Sequence, residues 1–384
     1  MSRVTDPRRV VLVRTLRGFA DGYVSVLLAD YLLSLGYSPA RVGVVVTGTL
    51  IGSAVLTLLV GLTGHKLGFR TLLLGASALM FATGVGFFAV TAFLPLLAIA
   101  VVGTLNPSAG DVSVFLPTEQ AFLAGRATGT DRTRLYAIYN VGGNVAGALG
   151  ALLSAAVTGR TGFLVYIAVA AIAGLVYRGL PEDAPRVSTA TRPLERSRDV
   201  VLQLAALFSL DAAGGGFVVQ ALLVLWLHLK FDLSTATTAT VFFAAGILAA
   251  FSQLLAPRLA RRIGLVRTMV FTHLPANGFL ILAGIAPSPA LAIGFLLMRA
   301  LLSQMDVPAR QALVMAAVLP EERPAAASVT NVPRSLAAAA TPALGGWLFA
   351  NGHLAAPLLL AGSMKALYDL LLLWRFRSIV LSDD

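Results

Sequence analysis

The sequence predicts an all-α membrane protein with twelve transmembrane helices in two pseudo-symmetric six-helix bundles. Three observations carry this. Of 384 residues, 57% are hydrophobic and only 12% charged, against about 25% charged in a soluble domain. The chain divides into twelve apolar segments, and roughly 20 such residues cross the hydrocarbon core of a bilayer. Finally, an offset of 191 residues lays the second half on the first without a gap. It places Pro117 on Pro308, Glu119 on Arg310, Gln120 on Gln311, Asp131-Arg132 on Glu322-Arg323 and Asn140-Val141 on Asn331-Val332.

Segment 1 (roughly 11–35) carries Arg14, Arg17, Asp21 and Asp30. Segments 2 and 3 (roughly 40–63 and 71–92) carry no charge at depth and are joined by GLTGHKLGFRT, Gly61 to Thr71. Segment 4 (roughly 93–124) contains DVSVFLPTEQ, with Asp111, Pro117 and Glu119. Segments 5 and 6 (roughly 135–157 and 162–180) hold Asn140 and Asn144 and no acid. Leu180 to Asp199, LPEDAPRVSTATRPLERSRD, is the only long polar break. It predicts an N-terminal bundle over 1–180, a cytoplasmic linker over 181–199 and a C-terminal bundle over 200–384.

Segment 7 (roughly 200–229) carries Asp211, and segments 8 and 9 (roughly 235–256 and 268–286) carry no acid or arginine at depth. PRLARRIGLVRT, Pro257 to Thr268, joins 8 to 9 as Gly61–Thr71 joins 2 to 3. Segment 10 (roughly 289–318) carries Arg299, Asp306, Pro308 and Arg310. Segment 11 (roughly 326–350) carries Arg334, and segment 12 (roughly 354–376) carries Lys365 and Asp369, which an i, i+4 spacing allows to pair. Pro117 and Pro308 each remove a backbone hydrogen bond and predict matched kinks.

Topology explains the net charge of +11 better than nucleic acid does. With the N-terminus inside, the inner loops and tails hold twenty lysines and arginines and the outer loops only Arg41, Arg160 and Lys230. That bias places both termini in the cytoplasm. MSRVTDPRRV lacks a small-residue cleavage site, so no removed signal peptide is read. Absent cysteine excludes disulfides and thiolate metal sites. The four histidines (His65, His228, His273 and His353) form no visible cluster at depth, so no metal, cofactor or intramembrane active site is expected.

Six plus six spans, a polar central linker and basic glycine loops after segments 2 and 8 resemble the major facilitator superfamily over the whole chain. The family's loop pattern, G-x-x-x-D-[RK]-x-G-[RK]-[RK], is met by Gly61, Lys66, Gly68 and Arg70 and broken at His65 and Phe69. The exporter-type G-P-x-x-G-G is degraded in segment 5 to Gly147-Ala148-Leu149-Gly150. Segment 11 carries a closer version from Thr341 to Gly346. The resemblance implies a secondary active transporter whose segments 1, 4, 7 and 10 line a central cavity. Those segments hold most of the charges at depth, where each normally faces a partner or water.

Asp21, Asp111, Asp211, Arg299 and Asp306 fall near mid-depth and are the expected substrate- or proton-binding residues. Arg17, Glu119, Arg310 and Arg334 lie nearer the cytoplasm as gate or ion-pair residues. Arg17 and Asp21 share a helical face. Glu119 and Arg310 occupy equivalent places in the two halves, which points to a bridge across the gap; the alternative is that each satisfies its burial with a different partner. A carboxyl moving between a low-dielectric site and an arginine takes up and releases a proton. Asp21, Asp111 and Asp306 are the candidates, with permanent ion pairs as the alternative. The expected function is proton-coupled export of a small polar or charged molecule by a monomer in a bacterial inner membrane. Import of an organic anion held by Arg299 and Arg17 is the second reading; an enzyme, channel or receptor on the same fold is the rival class.

Overall fold

The computed structural model describes residues 5–63, 67–108, 115–124, 129–181, 197–319 and 322–376. Among them the chain is helical, with no strand. The first half comprises α1 (Thr5–Ser34), α2 (Pro39–Thr63), α3 (Phe69–Ala89), α4 (Phe93–Val102), α5 (Phe115–Ala124), α6 (Gly129–Leu153) and α7 (Phe163–Arg178). The second comprises α8 (Arg198–Gly216), α9 (Gln220–Phe231), α10 (Thr235–Ile263), α11 (Leu265–Ile285), α12 (Pro289–Ser303), α13 (Asp306–Ala316), α14 (Arg323–Ala340), α15 (Pro342–Ala350) and α16 (Ala356–Phe376).

These helices make twelve spans in two bundles. Among the described residues, eight helices or helix pairs are long and apolar enough to cross a membrane on length and composition alone. Spans 4, 7, 10 and 11 are each two helices, α4/α5, α8/α9, α12/α13 and α14/α15, where the sequence predicts only kinks in spans 4 and 10. Local sequence accounts for the breaks. Gly214–Gly216 ends α8, and Val219 is extended at ψ 149° before α9 begins. Pro342 opens α15, where its missing N–H costs nothing. Pro308 stands third in α13, so it follows a break rather than kinks a continuous span; Pro117 lies in α5, beyond the non-helical residues 103–108.

Apolar side chains left exposed, such as Leu94, Val102, Leu175 and Trp374, form the surface that lipid covers.

The two halves meet asymmetrically. At the far end, which bears the 35–38 and 351–355 turns, one core joins Tyr31, Val42 and Val46 to Leu222, Trp226 and Phe349. At the near end, where α1 begins and α16 ends, a separate core holds only second-half residues, among them Phe208, Leu313 and Tyr368. Helix backbones touch at the far end because Gly43 and Gly346 face each other. A Cβ on Gly346 would lie 2.5 Å from the Pro39 carbonyl oxygen, and one on Gly43 would lie 2.6 Å from that of Pro342. Thr47 Oγ1 accepts from Ala343 N at 2.9 Å across the same seam, and Ala221 N donates to Pro107 O at 3.1 Å. The far end is therefore sealed, and α5 and α13 pack mainly within their own halves at the other end.

Gly346→Leu is expected to open this seal. Spin labels at Ser38→Cys and His353→Cys should report a longer distance in Gly346→Leu than in the parent, with no background because the chain has no cysteine.

Candidate functional site

In the first half, α1 delivers Arg14, Arg17 and Asp21 along one side. Close contact of α1 with α6 sets their depth, since glycines line both faces: a Cβ on Gly22 would lie 1.9 Å from the Gly147 carbonyl oxygen. Arg17 Nη2 donates to Glu119 Oε2 at 2.6 Å. The Tyr139 and Tyr177 hydroxyls also donate to the Glu119 carboxylate, and the Arg17 guanidinium lies 3.9 Å from the Phe115 ring centroid. Glu119 is 0% and Arg17 2% exposed. Both oxygens of the carboxylate are satisfied where the residue has no exposed surface.

In the second half the centre is Asp211 of α8. Lys365 Nζ of α16 donates to its Oδ1 at 2.6 Å, and Arg310 Nη1 of α13 lies 3.4 Å from its Oδ2. Arg310 also lies 3.4 Å from Asp306 Oδ2 one turn away. Behind them, Asp369 of α16 accepts from Asn277 Nδ2 at 2.8 Å and lies 3.0 Å from His273 Nδ1 of α11.

The halves enclose a cavity of about 370 Å³, within the range of small-molecule sites. Asp21 and Arg14 reach it from the first half, and Asp211, His273, Arg299, Asp306, Arg310, Arg334 and Lys365 from the second. Asn144 Nδ2 donates to Gln253 Oε1 across the halves at 2.7 Å, and Gln253 Nε2 continues to Gln304 Oε1 at 3.3 Å. Arginines and lysine outnumber the acids in this lining. Lys365 and Arg310 are held by Asp211 and Asp306. Arg14 and Arg299 make no hydrogen bond or ion pair among the described residues, and the buried Nε of each is unpartnered. Arg14 meets the Tyr139 ring, 5.5 Å from its guanidinium carbon.

The structure thus brings together Asp21, Asp211, Arg299, Asp306, Arg310 and Arg334 as cavity residues. Asp111 and Lys66 lie outside the described residues. Gly61 falls in the last turn of α2, Gly68 precedes α3, and Arg70 lies in its first turn, half-buried. In this conformation Glu119 and Arg310 do not meet: Glu119 pairs with Arg17 and Arg310 with Asp211 and Asp306, each within its own half. One pairing is corrected. Lys365 and Asp369 do not pair with each other, because Asp211 lies closer to the ammonium and His273 and Asn277 claim Asp369. Nor does His273 stand alone.

Sequence reasoning assigns no site role to Arg14, His273, Lys365, Gln253 or Gln304. Arg14 was legible, since Arg14, Gly18 and Asp21 follow i, i+4, i+7 and all three line the cavity. Lys365 and His273 sit on spans 12 and 9, outside the four expected to line the cavity, and only the rule that a charge at depth needs a partner points to them.

Comparison with known proteins agrees with this architecture. A yeast relative, an uncharacterised membrane protein of Saccharomyces cerevisiae, is 25% identical over 95% of this chain and 92% of its own length. A single-residue mutant of the nucleoside transporter NupG superposes with a TM-score of 0.77 at 13% identity, covering 96% of this chain and 99% of that one. The human organic anion transporter MFSD10 superposes at 0.70 with 19% identity, covering 95% and 99%. The sequence profile described as Major Facilitator Superfamily matches residues 10–302. With its two six-helix bundles and the polar cavity between them, the chain belongs to the major facilitator superfamily.

Proposed function

We propose that the protein is a secondary transporter that carries a small organic anion by alternating access, coupled to protons. One observation carries the substrate class: Arg14 and Arg299 enter the same cavity from opposite halves, and neither makes an ion pair among the described residues. Arg14 is buried and Arg299 half-buried, each with an unpartnered Nε, and a charge held away from water without an ion pair costs free energy. An anion between the halves removes that cost at both ends and draws the two bundles together. Arg17, which the sequence offers for this task, is occupied by Glu119. The human structural neighbour is an organic anion transporter, which is consistent with this class. On the twenty-to-three split of basic residues, the near end faces the cytoplasm, and the conformation is inward-facing. The reading takes the chain as a monomer of a bacterial inner membrane with both termini inside.

Asp21 and Asp306 belong to the same proposal as proton-sensitive residues, and Asp111 stays with them on sequence grounds. Thr341 to Gly346 suggest export on sequence alone. In the structure these residues pack α15 on α2 at the far end, a seal that serves either direction.

Thermal unfolding of the purified protein tests the substrate class. Monocarboxylates, dicarboxylates and organic phosphates should include compounds that raise the midpoint, while choline and neutral sugars should not. Arg14→Gln and Arg299→Gln should each weaken that stabilisation at least about tenfold, the value of a charge-assisted hydrogen bond. Stabilisation by cations alone, or anion stabilisation undiminished in both variants, contradicts the reading.

A further inference from the structure

His273 is the buried member of the described histidines, since His228 and His353 are exposed. Its ring stands between two carboxylates. Nδ1 lies 3.0 and 3.2 Å from the two Asp369 oxygens, while Nε2 lies 3.8 Å from Asp211 Oδ1. Asn277 Nδ2 also lies 3.2 Å from Nδ1, but its hydrogen is directed to Asp369 at 2.8 Å; an ionised carboxylate only accepts, so Asp369 favours a proton on Nδ1. Nε2 is then the atom free to gain or lose a proton, and it faces the cavity that His273 and Asp211 both line.

Asp211 has other cations to choose from. With Lys365 at 2.6 Å and Arg310 at 3.4 Å, its charge is met, and 3.8 Å is too long for a bond to Nε2. Tyr368 of α16 faces the ring, and the other charged groups that line the cavity with it are Lys365 of α16, Asp306 and Arg310 of α13, Arg299 of α12, Arg334 of α14, and Arg14 and Asp21 of α1. The Tyr368 ring centroid is 6.0 Å from that of His273. α10 presents apolar residues and the uncharged Gln253 to the cavity, its arginines 258, 261 and 262 being exposed.

We propose that His273, held between Asp369 and Asp211, carries the transported proton, and that Lys365 governs its protonation by competing for Asp211. This rests on the anion-carrier reading. An anion in the cavity draws Lys365 or Arg310 toward itself and leaves Asp211 short of positive charge. A proton taken from water at the open end onto Nε2 then donates to Asp211. When the anion leaves, Lys365 returns, the bond to Nε2 is redundant, and the proton goes back to water on the side then open. Anion and proton thus bind together and move in the same direction, so an inward proton gradient drives uptake.

The test reads proton binding and adds no substrate. The full-length protein, labelled with 15N-histidine in nanodiscs, is titrated by NMR, and His273→Gln identifies the resonance among the four histidines. Nδ1 should stay protonated while Nε2 titrates. Lys365→Gln, which leaves Asp211 with Arg310 alone, should raise the proton affinity of Nε2 about tenfold, the effect of one nearby uncompensated charge. The double variant Asp211→Asn with Lys365→Gln, chosen because it leaves no new unpaired lysine, should remove that gain. An unprotonated Nδ1, or the same titration in all three proteins, overturns the proposal. If the titration behaves as expected but no anion stabilises the protein, the substrate class falls and the proton site stands.

Discussion

Glu119→Arg is expected to yield no stably folded protein, and Arg17→Glu, not Arg310→Glu, is expected to restore it in part. The reason lies in what surrounds the carboxylate. Arg17 is 2.6 Å away, two tyrosine hydroxyls donate to it, and no part of it reaches solvent. Breaking a buried pair by removing one partner costs about 3–5 kcal/mol, a large share of a total stability of about 5–15 kcal/mol. Reversal costs more, since it buries two guanidinium groups together. Swapping both charges returns the pair but leaves Tyr139 and Tyr177 beside a donor, so the rescue is incomplete. Yield of monodisperse protein and the thermal midpoint measure it. Rescue by Arg310→Glu instead would show that the two halves are bridged at this point.

Asp211→Asn has the second large effect. It leaves Lys365 and Arg310 facing each other across a neutral amide, at a cost of the same order, about 3–5 kcal/mol. Asp211→Leu combined with Lys365→Met should recover most of the stability, because an apolar pair of similar volume often replaces a buried ion pair without loss. Transport should not return with it. A fully active double variant in a proteoliposome exchange assay would remove Asp211 and Lys365 from the transport cycle and leave them a packing role.

The sequence carried the architecture because the bilayer enforces it. Span lengths follow from hydrocarbon thickness, and charges gather on spans 1, 4, 7 and 10 because lipid excludes them. The 191-residue repeat relates Glu119 to Arg310 as equivalent positions. Equivalence is not contact, however: with the near end open, α5 and α13 stand in separate bundles, and each charge is satisfied locally. The same limit explains Lys365. An i, i+4 spacing permits a pair with Asp369, but only the packing of α16 against α8 and α11 decides that Asp211 wins the ammonium. The helix breaks were half-legible. Pro342 and Gly214–Gly216 mark them, while the position of Pro308 relative to its break depends on where α13 begins. Arg14 and Asp21 could be placed on one helical face by counting; that Arg14 makes no ion pair among the described residues could not.

Thiol accessibility from the two sides of the membrane tests the central idea most directly. Ser335 lines the cavity and is half-buried, and the native chain has no cysteine to confuse the result. Ser335→Cys in sealed vesicles of known orientation should react with a membrane-impermeant maleimide added on either side. Gly346→Leu should speed labelling from the far-end side and slow it from the near-end side. Labelling from one side only, unaltered by Gly346→Leu, or from neither side, would mean that the gap between the halves does not open alternately to the two sides.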